Sequence, residues 1–108
     1  MKSVLICEDE GNIIEIDLDI SPEKNEIFKN LKGSATFIGQ WPEIDVVIMK
    51  CDSSVFDLML NHNKLPKPFD EEVVFGPILL LRMDENVDHQ DFTLDEYNTW
   101  VYTQSHQI

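Results

Sequence analysis

The chain is expected to fold as a single α+β domain with a largely antiparallel sheet, for three reasons. Apolar residues alternate with acids from Ile13 to Ile20, the period of a strand with one wet face. Two segments carry helix-opening signals, one at Ser21–Pro22 and one at Thr93. Mostly short, turn-forming connections separate the strand-like runs, so the order β-β-α-β-β-loop-β-α suits antiparallel neighbours.

Each element has a local justification. "VLIC" (Val4–Cys7) is a short apolar run that reads as a buried strand. "EDEGN" (Glu8–Asn12) is a turn, with Gly11 and Asn12 suited to positive φ. In the next strand Ile14, Ile16, Leu18 and Ile20 face one way, and Glu15, Asp17 and Asp19 the other. These two strands form a hairpin. "SPEKNEIFKNLKG" predicts a helix capped by Ser21, with Pro22 at its first position, Ile27 and Leu31 in its apolar stripe, Phe28 beside them and Gly33 as its stop. "ATFIGQW" and "IDVVIMKC" read as strands joined at "WPE", where Pro42 breaks pairing. "SSVFDLML" fits a short helix or irregular chain. "VVFGPILLLRMD" reads as strand interrupted at Gly76–Pro77, with a turn near Glu85–Asn86. Thr93 and Glu96 form a capping box for a C-terminal helix. Leu94, Tyr97 and Val101 make its apolar stripe, with Trp100 on the flank. The domain is expected to span residues 1–104, with 105–108 ("SHQI") frayed.

Length and composition bound the function. A chain of 108 residues makes one domain with a real core. Twenty-one acids against eight bases give a formal charge of −13. That field opposes direct nucleic-acid binding, which needs cations to displace counterions, and docking on an anionic membrane. No apolar run approaches the ~20 residues of a membrane span, and "MKSVLICEDEG" is too short and wrongly flanked for a secretory signal. Cys7 and Cys51 lie in apolar runs and read as buried free thiols, which suits an intracellular setting, cytoplasmic or in the nucleus of a host cell.

The middle of the chain has a pattern of its own. A helix with a small-residue stop and two strands lead to "NHNKLP" and a Gly-started apolar strand; Asn61, Asn63, Leu65, Pro66 and Gly76 carry it. This pattern resembles uncharacterised small α+β domains of phages and bacteria, and of algae and their large DNA viruses. The resemblance implies an α+β fold and carries no activity and no catalytic residues.

Signatures of catalysis are missing. The three histidines are far apart, with no C-x-x-C or H-E-x-x-H, so no metal site or cofactor is expected. "DENVDHQD" lacks the glycine and full spacing of a calcium loop. No G-x-S-x-G or phosphate-cradling glycine loop is present. A reactive thiol needs an electropositive setting, the opposite of this chain's field.

Two features point to binding. Glu15, Asp17 and Asp19 form an acidic ladder spaced ~6.7 Å apart, twice the strand rise. After Arg82 the chain has six acids and neither Lys nor Arg. Such charge could imitate a phosphate backbone, or simply keep the domain soluble. The second feature is "NHNKLPKPF", Asn61–Phe69. Pro66 and Pro68 fix φ and push the preceding residues to extended geometry, predicting a stiff, exposed, polyproline-like arm. Leu65 and Phe69 can anchor it, with Lys64 and Lys67 turned outward as local positive charge, and Asn61, His62 and Asn63 are candidate hydrogen-bonding groups. Trp41, Phe69, Trp100 and Tyr102 are the candidate aromatic anchors. The expected function is a non-catalytic binding or regulatory module that engages a protein partner, a second copy of the chain included. Imitation of DNA to inhibit a nucleic-acid-binding protein is the first alternative; a small-ligand binder or enzyme is the second.

Overall fold

The computed structural model describes residues 1–52, 58–86 and 88–105. The chain runs through β1 (Lys2–Ile6), β2 (Ile13–Asp17), α1 (Glu26–Leu31), β3 (Ala35–Trp41), a 3-10 turn (Pro42–Ile44), β4 (Val46–Cys51), β5 (Ile78–Met83), β6 (His89–Gln90) and α2 (Leu94–Ser105). The strands form one sheet in the order β2-β1-β5-β4-β3, with β6 beside the end of β5. Every pairing is antiparallel. The domain is α+β, as the alternation and the turns predict.

The central strands bury both faces, so β5 reads as an unbroken apolar run. Ile78 and Leu80 join Val4, Ile6, Val46 and Ile48 in one cluster, which α2 covers with Leu94, Tyr97, Trp100 and Val101. Leu79 and Leu81 join Leu5, Met49 and Cys51 on the opposite face, which α1 covers with Ile27 and Leu31. Among the described residues one helix therefore closes each face. β2 and β3 are left as the two edges.

The C-terminal helix forms as its signals predict. The Thr93 N–H donates to Glu96 Oε1 at 3.2 Å, and the Glu96 N–H donates to Thr93 Oγ1 at 3.1 Å. These bonds satisfy helix-end donors that would otherwise lack partners. Glu15 of β2 adds a third, accepting the Leu94 N–H at 3.0 Å. Tyr97 is buried, which pushes its hydroxyl pKa up to about 12. Thr93→Ala is expected to cost about 1 kcal/mol in urea unfolding. No loss would mean that the cap carries nothing. Of the four residues expected to fray, Ser105 closes the helix, its hydroxyl donating to Val101 O at 2.9 Å; 106–108 lie outside the described residues.

The first helix starts later than expected. Lys24 N–H closes a turn on Ser21 O at 3.0 Å, and Asn25 takes the left-handed conformation at φ 53°. Asparagine tolerates that region and so breaks the helical run after Pro22. Ser21 is no cap: its N–H donates to Asp19 Oδ1 at 2.9 Å. Phe28 stands out from the packed stripe, 46% exposed. Lys32, not Gly33, takes the left-handed position that ends the helix, at φ 64°. Gly33 supplies room, since a Cβ there would lie 2.5 Å from Cys51 Sγ. β6 had no sequence signal, because two residues are too few to show a period.

Candidate functional site

The segment Asn61–Phe69 is expected to be an exposed extended arm. The structure instead ties it down. The Asn61 side chain is buried. Its Nδ2 donates to Ile6 O at 3.2 Å and to Gly76 O at 2.9 Å, and its Oδ1 accepts the Asn63 N–H at 2.9 Å. Asn63 Nδ2 donates to Cys7 O and Asp9 O, both at 2.8 Å, while its Oδ1 accepts the Gly11 N–H at 2.8 Å. The His62 N–H donates to Glu8 O at 2.8 Å. The two asparagines thus bind the loop to the hairpin turn between β1 and β2. They satisfy backbone groups at the end of β1, in the hairpin turn and at Gly76. They are internal ties, not the adaptable surface groups the sequence suggests.

The proline part is a turn rather than a polyproline run. The Phe69 N–H donates to Pro66 O at 3.1 Å, and the Lys67–Pro68 bond is cis. Leu65 and Pro66 are buried. The Lys67 carbonyl accepts the Trp41 indole N–H at 3.1 Å. Phe69 lies over Gly39, where a Cβ would come 2.4 Å from the ring. Lys64 and Lys67 remain exposed and line an open cleft of about 270 Å³ against Val101 and Gln104 of α2.

Trp41 is not a surface anchor. It is 1% exposed and sits among Phe69, Tyr97 and Trp100, with ring centroids 6.1–6.5 Å away. Phe69 and Trp100 are half-buried in the same cluster, and Tyr102 is exposed. An aromatic beside a proline at a strand end can turn either way; here the aromatic cluster turns it inward.

The acidic ladder is broken. β2 ends at Asp17, so Asp19 lies beyond the strand. Each carboxylate also has an internal partner. Glu15 caps α2. Asp17 accepts from the Met1 amino group at 2.8 Å, which holds its carboxyl below the usual range. Hydrogen bonds from Ser21 do the same for Asp19.

A more exposed site has no signal along the chain. Leu60 pairs with Phe75 in an antiparallel bridge, flanked by bonds from Asn61 N–H to Val74 O (2.8 Å) and Gly76 N–H to Met59 O (2.7 Å). The two short segments form a ribbon. Asn61 and Val74 point inward and are buried. On the other side Leu60 is 40%, Phe75 55% and Val73 67% exposed. This row is too short in each segment to show a period; only the pairing of residues 60 and 75 brings it together. Asp70, Glu71 and Glu72 precede Val73, and Asn63, three residues after Leu60, holds the Asp9 carbonyl of the hairpin turn. Gly76 permits the ribbon's exit, with φ +88° and the Leu58 side chain against its α-carbon.

The chemistry of the other groups is structural. Arg82 donates through Nε to Ile44 O and through Nη1 to Asp91 O and Glu96, with its guanidinium 5.0 Å from the Phe92 ring centroid. It fastens α2 to β5. Cys51 is buried and Cys7 half-buried, both free; burial pushes the Cys7 thiol up. Among the described residues no three His, Cys, Asp or Glu side chains gather as a metal site. No helix of the described residues is long and apolar enough to cross a membrane.

A family model described as a family of unknown function (DUF5880) matches residues 4–100. The match agrees with the expectation of an uncharacterised domain and says nothing of phages or algae. No curated protein and no solved structure matches the chain.

Proposed function

We propose that this chain, which belongs to the DUF5880 family of unknown function, is a binding module that docks a protein partner on the row Leu60, Val73 and Phe75. The exposure of Leu60 and Phe75, opposite one another in the bridge, with exposed Val73 two residues before Phe75, carries the reading. Contiguous apolar patches on a small domain mark interaction surfaces more often than isolated exposed residues do. The ribbon beneath the row is fixed by the Asn61 and Asn63 bonds before any partner arrives, so little order is lost on docking. Asp70, Glu71 and Glu72 run directly into Val73, so the fitting partner segment pairs apolar side chains with lysine or arginine. Two free cysteines suit action in a reducing compartment of the cell. Imitation of a phosphate backbone has less support, because all three ladder acids have internal partners.

The test is a quantitative capture from the native host cell with wild type and a Val73→Asp, Phe75→Asp double variant. Both substitutions are at exposed positions and are expected to move stability by no more than about 0.5 kcal/mol. The partner's affinity should fall by about tenfold or more, since an interface core tolerates charge poorly. Equal capture by a folded double variant would sink the proposal.

A further inference from the structure

We infer that the β3 edge is a self-association surface, on which a second copy of this chain adds its own β3 antiparallel to the first. The inference goes beyond the docking row and does not depend on it. β3 ends the sheet, and among the described residues no backbone hydrogen bond joins it to any segment but β4. An open strand edge is a template for pairing, which proteins usually block with charges or proline. Ala35–Trp41 has neither, in a chain with 27% charged residues. Its one protective device is the bulge between Phe37 and Gly39. Phe37, at mid-edge, is 59% exposed.

Charge selects the occupant. Two-fold antiparallel pairing sets each residue against a residue of the same chain, so only an edge without self-repulsion can use it. β2 fails: a two-fold at its centre places Glu15 against its own copy, with Asp17 close by. β3 passes, and its flanks are complementary. Lys50 lies by the Ala35 end, paired across from Thr36, with Asp52 beside it; Lys32 is there too, already paired with Glu8. Glu43 and Asp45 follow the Trp41 end, both exposed. Antiparallel pairing about Ile38 brings Lys50 of each copy toward Glu43 and Asp45 of the other. Lys32 now reaches Glu8 at 3.0 Å, but its side chain is 57% exposed and free to share that contact. A foreign strand has no such reason to match both ends.

The experiment is sedimentation equilibrium from about 1 µM to about 500 µM, a range in which mass action populates a weak dimer. Wild type should shift from monomer to dimer. The shift should strengthen from about 20 mM to about 200 mM salt, as screening reduces the repulsion between two −13 chains. Phe37→Lys should weaken association at least about tenfold by setting two like charges near the axis, while Ile14→Lys on the β2 edge leaves it unchanged. Hydrogen exchange of wild type reads the same edge without substitution: amides of 35–41 should gain protection with concentration and those of 13–17 should not. A wild type that stays monomeric throughout, or a dimer whose protection falls outside β3, overturns the inference.

Discussion

Trp41→Ala is expected to cost about 3–5 kcal/mol, the range for removing a large aromatic from a packed core. The ring is 1% exposed and contacts Phe69, Tyr97 and Trp100. Its indole N–H is bonded to the Lys67 carbonyl, so the substitution also leaves a part-buried acceptor without its partner. Domains of this size have about 5–15 kcal/mol in total, so the loss is a large fraction of stability. Urea unfolding should show the midpoint fall with little change in slope. The same variant separates two roles for Trp41. A surface anchor would lose partner affinity and keep its stability. A core residue does the reverse: below the shifted midpoint, the docking of a partner at Phe75 should persist. A stable variant with lost binding would return Trp41 to the surface, against its burial.

The elements that could be read from the sequence are those that depend on neighbours along the chain. The capping box at Thr93 and Glu96 spans three residues, and its two bonds form as expected. The stripe Leu94, Tyr97 and Val101 faces the core because a helix returns to the same face every three to four residues. The first hairpin was likewise legible in the period-two run and its glycine turn. The start of α1 was hidden because Asn25 takes a left-handed φ that no spacing rule demands. The site was harder still. Asn61 looks like a loop residue, and its carboxamide is buried only because Ile6, 55 positions away, and Gly76 offer carbonyls to it. The apolar row needs Leu60 and Phe75 to pair across the whole proline loop. Prolines restrict their own φ and the residue before them; they did not decide whether the arm lies on the body or leaves it. Leu65, packing under the loop, decided that.

The Asn61 tie should therefore carry more stability than any exposed group of the loop. Asn61→Ala is expected to cost about 3 kcal/mol, since it strips donors from the Ile6 and Gly76 carbonyls and an acceptor from the Asn63 N–H. Asn61→Asp keeps the shape and the acceptor but aims a carboxylate oxygen at two carbonyl oxygens. It should be the worse of the two, because a buried unpaired charge costs more than a lost bond. The order Asp below Ala below wild type in melting temperature is the signature of a donor in use. If Asn61 were an exposed, adaptable contact, both variants would lie within about 0.5 kcal/mol of wild type. The effect also reaches the surface. Asn61 and Val74 hold the inner side of the ribbon whose outer side shows Leu60, Val73 and Phe75. In the alanine variant the amides of 61–63 and 74–76 should exchange faster than the sheet, as local opening precedes global unfolding. The docking row then spends less time in register, so the partner's affinity should fall although Asn61 touches no partner. Unchanged exchange at these amides in the folded alanine variant would show that the ribbon holds its shape without the tie.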